Sequence, residues 1–310
     1  MTMKPGLKDL LWLAAGAVVT LAITLAVFYL HEEQNPAAQL AFRAKRVELA
    51  EQMRLALASA SEAEKSAVMA TTDQDSQSFA DQARAQVAAV EQGRKELEGL
   101  LQTGGTKTEQ DLLAQFSQAF AEFQRIDKDL LDMAVRNTNL KAYALAFGPA
   151  AEVLKEMDAA LARVIAQSVN STAPDARQVI QLADDTRIRA LRIQTLLAPH
   201  IAEESDRKMD ELEAQMAKED LELRKDLESL VSLLKPGGSP DIETATSLYA
   251  KFGGIKAQII KLSRENTNVR SLAISLNQKR KVMLLCQDAL VALEQAIQQE
   301  PIAEPPVSPR

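Results

Sequence analysis

The sequence predicts an all-α protein: one N-terminal transmembrane helix followed by two tandem up-down-up-down four-helix bundles. Three observations predict it. Leu10 to Leu30 is an uncharged apolar run, L-L-W-L-A-A-G-A-V-V-T-L-A-I-T-L-A-V-F-Y-L. The chain is rich in Ala, Leu, Glu, Gln, Lys and Arg, with only 4% aromatic residues, a composition that favours helices over sheets. A pattern of motifs also recurs at an offset of 129 to 130 residues.

The apolar run comes first. About 20 such residues cross a bilayer core as a single helix. Tyr29 stands where an interfacial aromatic helps. A cleaved signal peptide is the rival, but its apolar region is usually about 7–15 residues long. Lys4 and Lys8 lie before the run, and Arg43, Lys45 and Arg46 lie beyond it, so the positive-inside rule nearly ties. Gly16, flanked by Ala15 and Ala17, would allow close approach of a second copy, and a homodimer is an open expectation.

The repeat sets the domains. R-K-E-L-E-G-L at 94–100 matches R-K-D-L-E-S-L at 224–230, and each precedes a Gly-Gly loop. Asn-Thr-Asn at 137–139 returns at 266–268. The expected organisation is a tail over 1–9, the span over 10–30, bundles over 38–170 and 172–300, and a Pro-rich disordered tail over 301–310. Within each half the apolar residues step by three and four, as in Phe116, Phe120 and Phe123, in Leu154, Met157, Leu161 and Val164, and in Leu248, Phe252, Ile255, Ile259 and Leu262. That is the seam of a helix packed at a shallow angle.

Helix ends follow from breaks. Asp73 is expected to cap a second helix, Thr108 with Asp111 a third, and Ser239 with Pro240 to start a helix in the second half. Ala198-Pro199-His200 reads as a turn, because proline is poor inside a helix. If Asn-Thr-Asn is also a turn, the first half divides into helices over 38–70, 73–102, 108–136 and 140–170, each about 45 Å long. Matched lengths favour that reading, with Pro149 kinking the fourth helix.

The inventory of chemistry is short. There is no phosphate-binding glycine motif, no H-E-x-x-H and no nucleophile elbow, and an enzyme is not expected. A formal charge of -7 without a basic block argues against nucleic acid. Cys286 is the single cysteine and continues the apolar series Leu290, Leu293 and Ile297. No cofactor is expected. His200 with Glu203 and Glu204 is the one metal-like spacing, too few ligands to favour a metal over a solvated helix tip. Candidate ligand-binding residues are Arg136, Asn137 and Asn139 with their counterparts Arg264, Asn266 and Asn268, since arginine grips a carboxylate bidentately. The mixed charge of Asp184, Asp185, Arg187, Arg189 and Arg192 reads as a surface ion-pair face.

Several of these stretches resemble the four-helix-bundle sensory domain of methyl-accepting chemotaxis receptors, particularly the HlyB-like subgroup. They are A-E-K-S-A-V-M at 63–69, A-V-R-N-T-N-L-K-A-Y-A-L at 134–145, D-A-A-L at 158–161 and S-R-E-N-T-N-V-R-S-L-A at 263–273. The resemblance implies a sensor of small molecules or proteins outside the cytoplasm and favours an amino terminus inside. With the one apolar run over 10–30, the expectation is a single pass through the bacterial inner membrane with the bulk of the chain in the periplasm. The family's second span, linker module and methylation rod have no counterpart in the sequence, so signalling would pass through a separate signalling or membrane protein. The competing expectation is a structural or adaptor protein that scaffolds a membrane complex.

Overall fold

A computed structural model describes residues 36–234 and 239–301. Among these residues every regular element is helical. The elements are α1 (Pro36–Met69), α2 (Asp73–Gly104), α3 (Lys107–Ala134), α4 (Thr138–Leu145), a π-turn (Ala146–Ala150), α5 (Ala151–Val169), α6 (Ala176–Ala202), α7 (Asp206–Leu234), α8 (Pro240–Glu265), α9 (Thr267–Ile274), a second π-turn (Ser275–Lys279) and α10 (Arg280–Gln299). The expected span, 10–30, lies outside the described residues. Among those described, no helix is long and apolar enough to cross a membrane, so the transmembrane part of the expected fold is not shown.

The tandem arrangement is corrected as well. The chain divides into two compact units. One comprises 36–61, 84–124 and 281–301 of the described residues, and the other 62–83 and 125–280. The core of the first unit is Leu49, Met53 and Leu57 of α1, Val90, Leu97 and Leu101 of α2, Phe116, Phe120 and Phe123 of α3, and Cys286, Leu290, Leu293 and Ile297 of α10. Its fourth helix therefore comes from the end of the chain. The main core of the second unit joins α4 and α5 to α6, α7 and α8, through residues such as Met157, Leu161, Ile193, Leu223, Phe252 and Ile259. A smaller core of the same unit gathers Ala67 and Val68 of α1, Ala80 and Ala83 of α2, and Leu130, Leu131 and Ala134 of α3. Each repeat thus gives up its fourth helix to the other. The physical reason is that a heptad seam specifies an apolar face and not its partner, so the spacing of the fourth helices could not say which three helices each would join.

Local signals explain the boundaries, with corrections. Thr72, not Asp73, caps α2: its hydroxyl accepts from the Asp75 amide (3.0 Å) and donates to the Asp75 carboxylate (2.7 Å). The capping box at α3 is Thr106 with Glu109 rather than Thr108 with Asp111. The Thr106 amide donates to Glu109 Oε2 (2.9 Å), and the Glu109 amide donates to Thr106 Oγ1 (3.2 Å). Pro240 opens α8 after an extended Ser239, in line with its fixed φ. Pro199 lies inside α6, near its end, and the chain leaves the helix only after Ala202. Pro149 lies in the first π-turn. A proline is not required for such a turn, since the second π-turn has Gln278 at the matching position.

In the first unit, buried Arg46 ties three segments together. Its guanidinium donates to Glu109 Oε2 (2.7 Å) and to the Glu300 carboxylate, and it lies over the Phe42 ring, 4.6 Å from the centroid.

Fragment 36–170, which holds the whole first repeat but lacks α10, is expected not to unfold cooperatively in urea, because Cys286, Leu290, Leu293 and Ile297 are missing from its core. A sharp transition with the m-value of a four-helix domain would restore the tandem arrangement.

Candidate functional site

The two Asn-Thr-Asn triplets meet inside the second unit. Asn137 (φ 50, ψ 40) and Asn266 (φ 53, ψ 37) are the only non-glycine residues with positive φ among those described. Asparagine tolerates this left-handed conformation better than most residues. Each break starts a new helix, α4 or α9, whose first amides have no partner within the helix. The other triplet supplies them. The Thr138 amide donates to Thr267 Oγ1 (3.2 Å), and the Thr267 amide donates to Thr138 Oγ1 (3.1 Å). The Asn139 amide donates to Asn268 Oδ1 and the Asn268 amide to Asn139 Oδ1, both at 3.1 Å. Asn139 Nδ2 donates to Asn266 Oδ1 (2.7 Å), and Asn268 Nδ2 donates to Asn137 Oδ1 (2.9 Å). The result is reciprocal capping: each helix start is satisfied by side chains of its duplicate.

Neighbouring segments accept further hydrogen bonds from the triplets. Asn137 Nδ2 donates to Asp73 Oδ1 (3.0 Å), Asn139 Nδ2 to the Ile201 carbonyl (2.7 Å) and Asn266 Nδ2 to the Glu203 carbonyl (2.8 Å). Lys141 and then Asn137 hold the Asp73 carboxyl below its usual range. The sequence reading took each triplet as a turn folding a fourth helix back on its own bundle. The backbone does break there, but the break passes the chain to a different core, since α5 packs with α6 to α8 and α10 with α1 to α3.

The other expected site residues are also engaged. Arg136 donates to Glu265, while Arg264 Nε donates to Glu213 Oε1 (2.6 Å) and its Nη2 to Asp210. Burial pushes the Glu213 carboxyl up, but hydrogen bonds from Arg264 and His200 outweigh it and leave it lowered. His200 is fully buried, with Nδ1 2.8 Å from Ser263 Oγ and Nε2 2.9 Å from Glu213 Oε1. Glu203 Oε1 accepts from the amides of Glu204 and Ser205, and no group of three His, Cys, Asp or Glu among the described residues is placed to hold a metal. Arg187 pairs with Asp158 and Asp184, Arg189 with Glu219 and Asp226, and Arg192 with Glu219, so that stretch of α6 is an ion-pair face toward α5 and α7.

Two polar clusters lie outside the expected sites. Asp220 on α7 accepts from Tyr249 Oη (2.5 Å), Lys256 Nζ (2.8 Å) and Arg224 Nε (2.8 Å). Burial works against its charge, yet the three donors hold its pKa down at about 2. The second cluster, Glu64 with Asp127, Ser275 and Lys279, is buried throughout. Sequence reasoning missed it, although Leu57, Ala60, Glu64 and Ala67 place a carboxylate in the apolar seam of α1. A groove of about 460 Å³ runs between α5 and α6, floored by Leu154, Met157 and Leu161 and rimmed by the paired Asp158 and Arg187.

No model of a known protein family matches the chain, and no curated protein matches it either.

Asn137→Ala or Asn266→Ala removes buried hydrogen bonds and leaves a Cβ residue in the left-handed region without its local compensation. Each is expected to cost about 3 kcal/mol in chemical denaturation, and the glycine variants about half of that. Equal losses for alanine and glycine would remove the backbone contribution.

Asp220 has its pKa lowered on folding, so its stabilisation is present above the ordinary carboxylate range, about 3.8, and is lost as pH falls through about 2. Asp220→Asn is expected to lose about 1 kcal/mol at pH 7, after allowance for partial exposure, and the difference from the parent should vanish near pH 2.

Proposed function

We propose that the chain is a sensory or ligand-binding helical module, related to chemotaxis-receptor sensor domains, that acts in signal transduction through a separate signalling or membrane protein. The observation that carries this reading is the pair of mutually capped helix breaks, each followed at the same spacing by a π-turn. Helix packing alone requires neither feature. Left-handed residues cost conformational energy, and π-turns cluster at functional positions in helices. Two helices that share one polar junction move together, so an ångström-scale shift in one is handed to its duplicate. The quoted likeness of 134–145 and 263–273 to sensor bundles falls on this same junction. Placement at a bacterial inner membrane, with the bulk of the chain in the periplasm, belongs to the same proposal and rests on the apolar stretch 10–30. The ligand would be a small molecule or a protein, and Arg136 and Arg264 beside the triplets suit a small organic acid.

One observation favours the second reading, a structural or adaptor protein. Arg136 and Arg264, the cations best placed to grip a carboxylate ligand, are already paired with carboxylates of the chain itself. A rigid helical spacer needs such internal pairing, and a binding site needs the opposite.

The readings separate in a thermal-shift screen of residues 34–310 against organic acids, amino acids and divalent metals. A sensor is expected to show a saturable rise of several degrees for a narrow ligand class, since a ligand that binds only the folded state raises its midpoint. No rise across the screen, together with a stoichiometric membrane partner on purification, would establish the adaptor.

A further inference from the structure

The buried cluster at the second π-turn has a charge imbalance. Lys279 Nζ donates to Asp127 Oδ1, so these two groups neutralise one another. Glu64 of α1 is fully buried beside them, and neither of its carboxylate oxygens completes a hydrogen bond. From α3 it faces Asp127, from the second π-turn Ser275 and Lys279, and on its own helix Lys65. From α2, Ala80 and Ala83 bring only apolar surface to the adjoining core. An ionised Glu64 would leave one net negative charge away from water, which is among the costliest states a folded chain can hold.

The duplicate shows that a π-turn of this kind forms without such a cluster. At an offset of 129 residues, the first π-turn has Ala146 and Ala150 where the second has Ser275 and Lys279, and all four are buried. The same backbone device is built with apolar residues in one copy and with ionisable ones in the other.

We propose that Glu64 is a proton-binding site: the carboxyl is neutral while α1, α3 and the second π-turn are packed together, and its ionisation loosens that packing. A proton needs no cavity, and none of the grooves on α4–α8 or between α3 and α10 is lined by Glu64. Burial raises the Glu64 pKa first of all. The dipole of the Ser275 hydroxyl, which comes near without completing a hydrogen bond, and the charge of Lys279 pull it back, and Asp127 adds to the rise, with a net upward shift. For an acid whose pKa is raised on folding, the unfolded chain binds fewer protons between the two values. The contribution to stability is therefore complete at acid pH and is lost as pH rises through the folded value. The inference does not depend on the sensory reading. If both hold, the proton is a stimulus in its own right.

The test compares the full chain with its Glu64→Gln variant, which mimics the neutral carboxyl. Thermal midpoints are measured from pH 5 to pH 9. The two chains should agree near pH 5, and the variant should become the more stable as pH rises, by at least about 2 °C at pH 9. A variant that is less stable at neutral pH would overturn the proposal, because Glu64 would then be an ionised partner of Lys279. A difference independent of pH would overturn it too. If the variant does not fold, the carboxyl carbon of Glu64 in the unaltered chain is titrated by NMR. A midpoint above the ordinary glutamate range, about 4.3, supports the site, and one at or below that range refutes it.

Discussion

The second unit depends on a backbone accounting problem and its solution. A helix that starts in the interior exposes amide donors that water cannot reach, and each unpaired group costs free energy. Here two helices, α4 and α9, start side by side in the interior. Their opening residues are Thr-Asn in both cases, and each pair of side chains caps the other helix. Neither triplet satisfies itself. The left-handed asparagines are what aim the two helix starts at one another, so strain and hydrogen bonding are parts of one device.

The exchange of fourth helices becomes intelligible from this junction. A break at residue 137 that folded back would have returned the chain to α1, α2 and α3. Instead α4 and α5 join α6, α7 and α8, and after the second break α10 supplies the last face of the first core. Both fourth helices carry buried apolar side chains at matching steps, Leu154 with Met283, Met157 with Cys286 and Leu161 with Leu290. The mutual capping couples the two crossings, since disrupting one triplet also removes the caps of the other helix.

Much of the fold could be read from the residues. Phe116, Phe120 and Phe123, the series from Leu154 to Val164, and Cys286 to Ile297 all lie in cores, as their spacing implied. The breaks at 137 and 266 and the first residue of α8 were legible because asparagine and proline act through local backbone chemistry. The caps at Thr72 and Thr106 were displaced by a few residues, since several Ser, Thr and Asp near a boundary compete and tertiary position selects one. Pro199 was misread because one lost backbone hydrogen bond does not end a helix whose flanking Leu197, His200 and Ile201 are buried. His200 carried no visible sign that Ser263 and Glu213, 63 and 13 residues away, would occupy its ring nitrogens.

The sequence by itself determined the helical class, the helix lengths and the duplication, because composition, heptad spacing and repeated breaks are local properties of the chain. The tertiary structure decided which helices share a core, which asparagine faces which, and that Glu64 is buried next to the Lys279–Asp127 pair. The reason is geometric. An apolar stripe or an unpaired amide states that a partner is needed, and only the packed chain determines which partner arrives.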